Sequence, residues 1–125
     1  YMGPEGVGNP DFSKIAGEAS GGLLVTLPQS IDQDPANQAI VEAIKAKNED
    51  PSGAFVFPAY SAVQIMTEAM KGADSTDPEE VAEYIHNNTF DTTTGKLAFD
   101  EKGDLTEFSF VVYDWHADGT KTPAK

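Results

Sequence analysis

A chain of 125 residues is long enough for one domain that buries about two-thirds of its unfolded surface. Its 8 basic and 21 acidic residues give a formal charge of -13, which argues against nucleic acid and anionic membranes as partners, since both require clustered Lys and Arg. With no cysteine, disulfides and thiolate chemistry are excluded, and the longest apolar runs are far too short to span a bilayer.

The chain opens on YMGPEGVGN, which sets one carboxylate, Glu5, inside a run of Gly and Pro. The segment reads as the mouth of a strand-to-helix turn. Tyr1 is no initiator, so a longer protein containing this chain is the expectation. Asn9-Pro10 pairs a helix N-cap with a Pro suited to the first helical position, predicting a helix to about Ala19. Gly21-Gly22 ends it, and Leu23–Leu27 reads as a buried strand. Asp34-Pro35 starts a second helix, with Ile40, Val41 and Ile44 at helical spacing, to about Lys47. Asp50-Pro51 and Ser52-Gly53 mark a loop.

A third helix is predicted from about Pro58, carrying Val63, Ile65, Met66 and Met70, with Gly72 as its close. Asp77-Pro78-Glu79-Glu80 opens a fourth, acidic in its first turn, which ends near Asn88. Thr92 to Asp100 reads as a strand, Lys102-Gly103-Asp104 as a turn, Glu107 to Trp115 as an aromatic-rich strand, and Ala117-Asp118-Gly119 as another turn. Alternating helices and strands indicate an α/β fold. Yet the strands are too few for a sheet covered by helices on both faces.

Glu5 reads either as a carboxylate that holds a cationic group, with glycines admitting the ligand closely, or as a solvent-facing loop acid. The loop lacks the Lys and Ser/Thr of a phosphate-binding P-loop, and its carboxylate would repel phosphate. Phe55-Val56-Phe57 stands at a helix entrance, as a pocket wall or as core, and Tyr60 is open in the same way. Trp115-His116 reads better as a strand end than as a site. His86 and His116 lack zinc-site spacing, and Asp100 to Asp104 lacks the calcium-loop pattern. Ser13 and Ser61 have no histidine partner in view, so no catalytic triad can be assembled and the reading is not an enzyme.

The segments GPEGVGN, IAGEASGGLLVT, DQDPANQAIVEAIKAK, DPSGAFVF, FDEKGDL and DWHADGT, taken in order, resemble the C-terminal part of the bacterial branched-chain amino acid binding proteins. These are the periplasmic leucine/isoleucine/valine receptors of ABC transporters. The resemblance implies a class I periplasmic binding protein fold: two α/β lobes joined by chain crossings, present here incompletely, with an amino acid bound between them. On that pattern residues 1–28 belong to the C-terminal lobe, 29–107 to the N-terminal lobe, and 108–125 return to the first. Glu5 matches the carboxylate that pairs with the ligand's α-ammonium. Gly6 matches the adjacent loop position, and Phe55 an aromatic lining the side-chain pocket.

The implied function is uptake of branched-chain or related aliphatic amino acids in the periplasm, with a membrane permease as partner and no cofactor. A ligand-sensing domain of a receptor or regulator is the alternative. A hydrolase is the third reading, for which the sequence offers no nucleophile–base pair. The residues that grip the ligand's carboxylate lie in the part of the family pattern this chain does not cover. The isolated chain is therefore expected to bind branched-chain amino acids weakly or not at all and to form an intertwined homo-oligomer.

Overall fold

A computed structural model describes residues 1–32 and 34–125. Gln33, within the DQDPANQ segment, lies outside the described residues. The chain divides into two compact units, Tyr1–Ser30 with Ser109–Lys125, and Ile31–Phe108.

The first unit is built on a four-stranded sheet. Its strands are β1 (Met2–Gly3), β2 (Leu23–Pro28), β5 (Phe110–Trp115) and β6 (Lys121–Pro123), in the spatial order β1-β2-β5-β6. The first pair is parallel and the other two antiparallel. In β2 successive side chains point to opposite faces, so Leu23, Val25 and Leu27 fall on one face and are buried. They share that face with Trp115 and Tyr113, which stand opposite Leu23 and Val25. Each such buried side chain contributes about 1.5–3 kcal/mol.

Both central strands were legible in the sequence. The flanking strands were not, because β1 and β6 are too short to carry a period of their own. The predicted last strand begins at Phe110, not Glu107.

Helix α1 spans Pro10–Ala16, shorter than predicted. It stops because Gly17 takes φ +57, and the chain continues to Ser20 as a tighter 3-10 turn. A buried polar chain ties this region to the sheet. Trp115 Nε1 donates to Ser13 Oγ at 2.8 Å, Ser20 Oγ donates to the Gly17 carbonyl at 2.7 Å, and the two serine hydroxyl oxygens lie 3.3 Å apart. Trp115 is thus core, as a strand-end residue should be.

The second unit holds helices α2 (Gln38–Lys45), α3 (Val56–Ala73) and α4 (Pro78–Asn87) and a hairpin of β3 (Phe90–Thr92) and β4 (Gly95–Leu97). The start signals act locally as their chemistry requires. Asp34 Oδ1 accepts from Ala36 N, opening a 3-10 turn, Pro35–Asn37, that leads into α2. Asp77 Oδ1 accepts from Glu79 N and Glu80 N at the head of α4.

Three expectations are corrected here. Helix α3 begins at Val56 because Pro58 sits in its first turn, where a missing N–H costs nothing. Gly72 does not close that helix; Asp74 does, at φ 50, with its N–H bonded to Met70 and Lys71 carbonyls. Gly72 is instead a packing residue. A Cβ there would run into the ring of Tyr84, so the tyrosine of α4 lies as close as it does to α3 because position 72 has no side chain.

The third correction concerns the strand predicted over Thr92 to Asp100. It is a hairpin that turns at Thr93-Thr94 into Gly95 at φ +103. Three consecutive threonines favour extended backbone. Here Thr92 Oγ1 bonds the Gly95 carbonyl at 2.8 Å and stabilises the turn instead. Ile65, Ala69, Val81 and Phe90 form the core of the unit, with Met70, Tyr84, Ile85, Leu97 and Phe99 packed around them.

Candidate functional site

Glu5 and Gly6 sit in a 3-10 turn, Glu5–Val7, which follows directly from the carboxyl end of β1. Ligands in open α/β sheets characteristically bind beyond the carboxyl ends of parallel strands. Since β1 runs parallel to β2, the turn stands at the same sheet end as Pro28. Phe110 pairs with Pro28, so the chain both leaves and re-enters this unit at that end.

Two neighbours build the turn. Gly8 N donates to the Glu5 carbonyl at 2.9 Å. Asn9 works twice: its Oδ1 accepts from Asp11 N and Phe12 N to cap α1, while its Nδ2 donates to the Gly6 carbonyl at 3.2 Å. That second bond holds the turn against the helix. The cap was read from the sequence, but the grip on Gly6 was not, because it needs the turn's geometry.

The glycines of the loop have different reasons. A Cβ on Gly3 would lie 2.6 Å from Val7 Cγ2, and one on Gly8 would lie 2.8 Å from Leu27 Cδ2, so these two allow close packing. At Gly6 a Cβ would meet nothing within 4 Å, and the residue is exposed. Packing therefore does not demand glycine at position 6.

Glu5 is exposed, and among the described residues its carboxylate has no hydrogen-bond or ion-pair partner. Lys14, the cation on the adjoining helix, is taken by Asp11 at 2.8 Å. That hydrogen bond, and then the Asp11 charge, raise the Lys14 pKa above its ordinary value. Glu5 is thus an uncompensated negative charge on an ordered turn.

Phe55 belongs to the second unit, as the residue that precedes α3. Val56 N donates to the Gly53 carbonyl at 3.1 Å and Ser52 N to Asp50 Oδ1 at 2.9 Å, which fixes the turn before it. The three-residue apolar group divides its roles. Phe57 is buried at 3 % exposure, whereas Phe55 remains 55 % exposed. Tyr60, one turn further along α3, is also exposed.

The other sequence candidates are occupied locally. Asp100 Oδ1 accepts from Lys102 N and Asp104 N, closing its own loop, and His116 Nε2 lies 3.0 Å from Thr122 Oγ1. In the last turn of the chain Asp118 accepts from both N and Oγ1 of Thr120, which lowers its pKa below the ordinary carboxylate value. Ser61 bonds Thr93 and Thr94 hydroxyls at 2.8 and 3.1 Å and has the surroundings of a structural serine.

Known proteins resemble this chain in sequence and fold. All 125 residues align at 57% identity with a leucine-, isoleucine-, valine-, threonine-, and alanine-binding protein of Pseudomonas aeruginosa, covering 34% of its length. They align at 55% identity with a Leu/Ile/Val-binding protein of Escherichia coli, again over 34% of its length. The chain therefore spans about a third of the length of the curated relatives it matches. A crystallised leucine binding protein from Thermotoga maritima superposes with a TM-score of 0.81 at 28% identity, over 99% of this chain and 36% of that one. Residues 2–120 match the family model described as periplasmic binding protein, and the chain belongs to that family.

Proposed function

We propose that this chain is part of the substrate-binding component of an ABC transporter, which takes up branched-chain or related aliphatic amino acids. In this reading Glu5 receives the ligand's α-ammonium, Gly6 lets the backbone approach it, and Phe55 contacts its aliphatic side chain. The observation that carries the proposal is the unpaired Glu5 carboxylate beside a glycine whose Cβ position is open, at the carboxyl end of β1. An amino acid's ammonium supplies the missing cation, and a charge-assisted bond out of water contributes about 1.5–3 kcal/mol.

The names of the relatives, all binding proteins for Leu, Ile or Val, support the aliphatic choice. The membrane permease and the periplasmic location belong to the same proposal, as does assignment of residues 1–28 and 108–125 to one lobe and 29–107 to the other. Among the described residues no helix is long and apolar enough to cross a membrane.

Phe55 gives the test, made in a protein of the relatives' length. Calorimetry should show micromolar or tighter leucine binding, and Phe55→Ala should weaken leucine more than alanine. A larger aliphatic ligand has more contact to lose, at about 0.8 kcal/mol for each buried CH₂. Equal losses for the two ligands would remove Phe55 from the pocket, and no leucine binding would overturn the function.

The 125-residue chain by itself is proposed to form an intertwined homo-oligomer. Ile15 is 87 % exposed, Val63 66 % and Phe110 57 %, and exchange of units between copies would cover such surface. Size exclusion with light scattering should give a mass above 13.3 kDa; a folded species at that mass would reject the oligomer.

A further inference from the structure

The turn Glu5–Val7 closes on two backbone bonds, from Val7 N to the Pro4 carbonyl at 3.2 Å and from Gly8 N to the Glu5 carbonyl at 2.9 Å. A single 3-10 turn of this length is a weak structure, and Gly6 and Gly8 add backbone freedom to it. Packing fixes its flanks. Gly3 packs against the Val7 side chain, and Gly8 against Leu27 and Val25 on β2. Packing does not fix its middle, since nothing lies within 4 Å of a Cβ built at Gly6. What reaches Gly6 is the Asn9 carboxamide, whose Nδ2 donates to the Gly6 carbonyl at 3.2 Å.

The other end of that carboxamide is held by α1. Asn9 Oδ1 accepts from Asp11 N at 2.9 Å and from Phe12 N at 3.2 Å, which fixes the amide plane and turns Nδ2 back toward Gly6. Helix α1 is itself anchored to the sheet, because Ser13 Oγ accepts from Trp115 Nε1 and both residues are buried or nearly so, at 8 % and 2 % exposure. The bonds therefore run from the sheet through α1 and Asn9 to the residue beside Glu5. Among side chains that cap helices well, Asn carries an acceptor and a separate N–H donor on one rigid plane. Asp offers acceptors only, and Ser and Thr a single hydroxyl.

We infer that Asn9 is a positioning residue for amino acid binding: it touches no ligand, and by holding the Gly6 carbonyl it sets the direction in which Glu5 projects. The inference rests on the reading of Glu5 as the receiver of the ligand's ammonium. A carboxylate on a turn that is already ordered loses less freedom when it takes up a cation, so more of the charge-assisted bond appears as affinity. Capping α1 and holding Gly6 are separate tasks of separate atoms, Oδ1 and Nδ2, so one substitution can remove the second and leave the first.

The test compares Asn9→Ser, Asn9→Ala, Glu5→Gln and the Asn9→Ser/Glu5→Gln double variant in a protein of the relatives' length. Serine keeps the cap and lacks the amide donor. Asn9→Ser should therefore weaken leucine binding in calorimetry about two- to tenfold, as for loss of one hydrogen bond, with the melting temperature of wild type. Asn9→Ala should weaken binding as much and also lower the melting temperature, because the cap is lost as well. Without ligand, Asn9→Ser should speed exchange of the Gly8 amide and leave that of Phe12 as it is. The double variant decides whether Asn9 acts through Glu5: added to Glu5→Gln, Asn9→Ser should bring no further loss, since the group it positions is gone. Unchanged leucine affinity in Asn9→Ser, with Glu5→Gln still weakening it, overturns the positioning role and leaves the proposed function standing. An equal loss from Asn9→Ser with and without Glu5→Gln also overturns it, because Asn9 would then support only the fold. Unchanged affinity in Glu5→Gln alone overturns the role of Glu5 and this inference with it.

Discussion

Glu5→Gln, made in a protein of the relatives' length, should weaken leucine binding by about 2–5 kcal/mol in calorimetry, the range for removing one partner of a buried charge pair. The size follows from the site as it stands. Among the described residues the Glu5 carboxylate has no partner, so no local cation would compensate the ligand's ammonium in its place. Glutamine keeps the shape and one carbonyl acceptor but loses the charge. The same isolation predicts the control: the melting temperature should barely change, since exposed substitutions of this kind stay within about 0.5 kcal/mol. A fall in affinity with unchanged stability would place the effect in binding. Unchanged affinity would return Glu5 to the surface.

The second large effect falls on stability. Phe90 is 1 % exposed and packs with Ile65, Ala69 and Val81, with the Tyr84 ring 6.4 Å away and tilted by 57°. Phe90→Ala should cost about 3–5 kcal/mol, because the cavity lies between two helices and a hairpin and can collapse only in part. Urea denaturation followed by circular dichroism would measure it. Trp115, the chain's single tryptophan, lies in the other unit and reports separately by fluorescence. The helical signal should lose stability first in the variant. A cost below about 1 kcal/mol would mean that Phe90 does not hold this core.

The candidate site was legible in the sequence as a set of residues and less so as an arrangement. A lone carboxylate among glycines can be seen in a string of letters. Which glycines the packing requires cannot, because Gly8 is forced by Leu27 and Val25, which lie on another strand. Phe55 and Phe57 look alike as neighbours in an apolar run; burial separates them only once α3 lies against its own core. Asn9 was visible as a helix cap, yet its bond to Gly6 depends on how the turn folds back.

By itself the sequence determined the features whose causes lie within a few residues. Asn9-Pro10, Asp34-Pro35 and Asp77-Pro78 each open a helical segment, since a side-chain oxygen meets backbone N–H groups two or three positions on. The runs in β2 and β5 declared themselves by apolar content. Tertiary structure decided the rest. Strands β1 and β6 exist only because β2 and β5 offer them partners, and Gly72 is a glycine because Tyr84 lies across it. The Ser30–Tyr113 bond joins residues 83 positions apart. Such contacts depend on where distant segments meet once the core has formed, and local spacing carries no record of that.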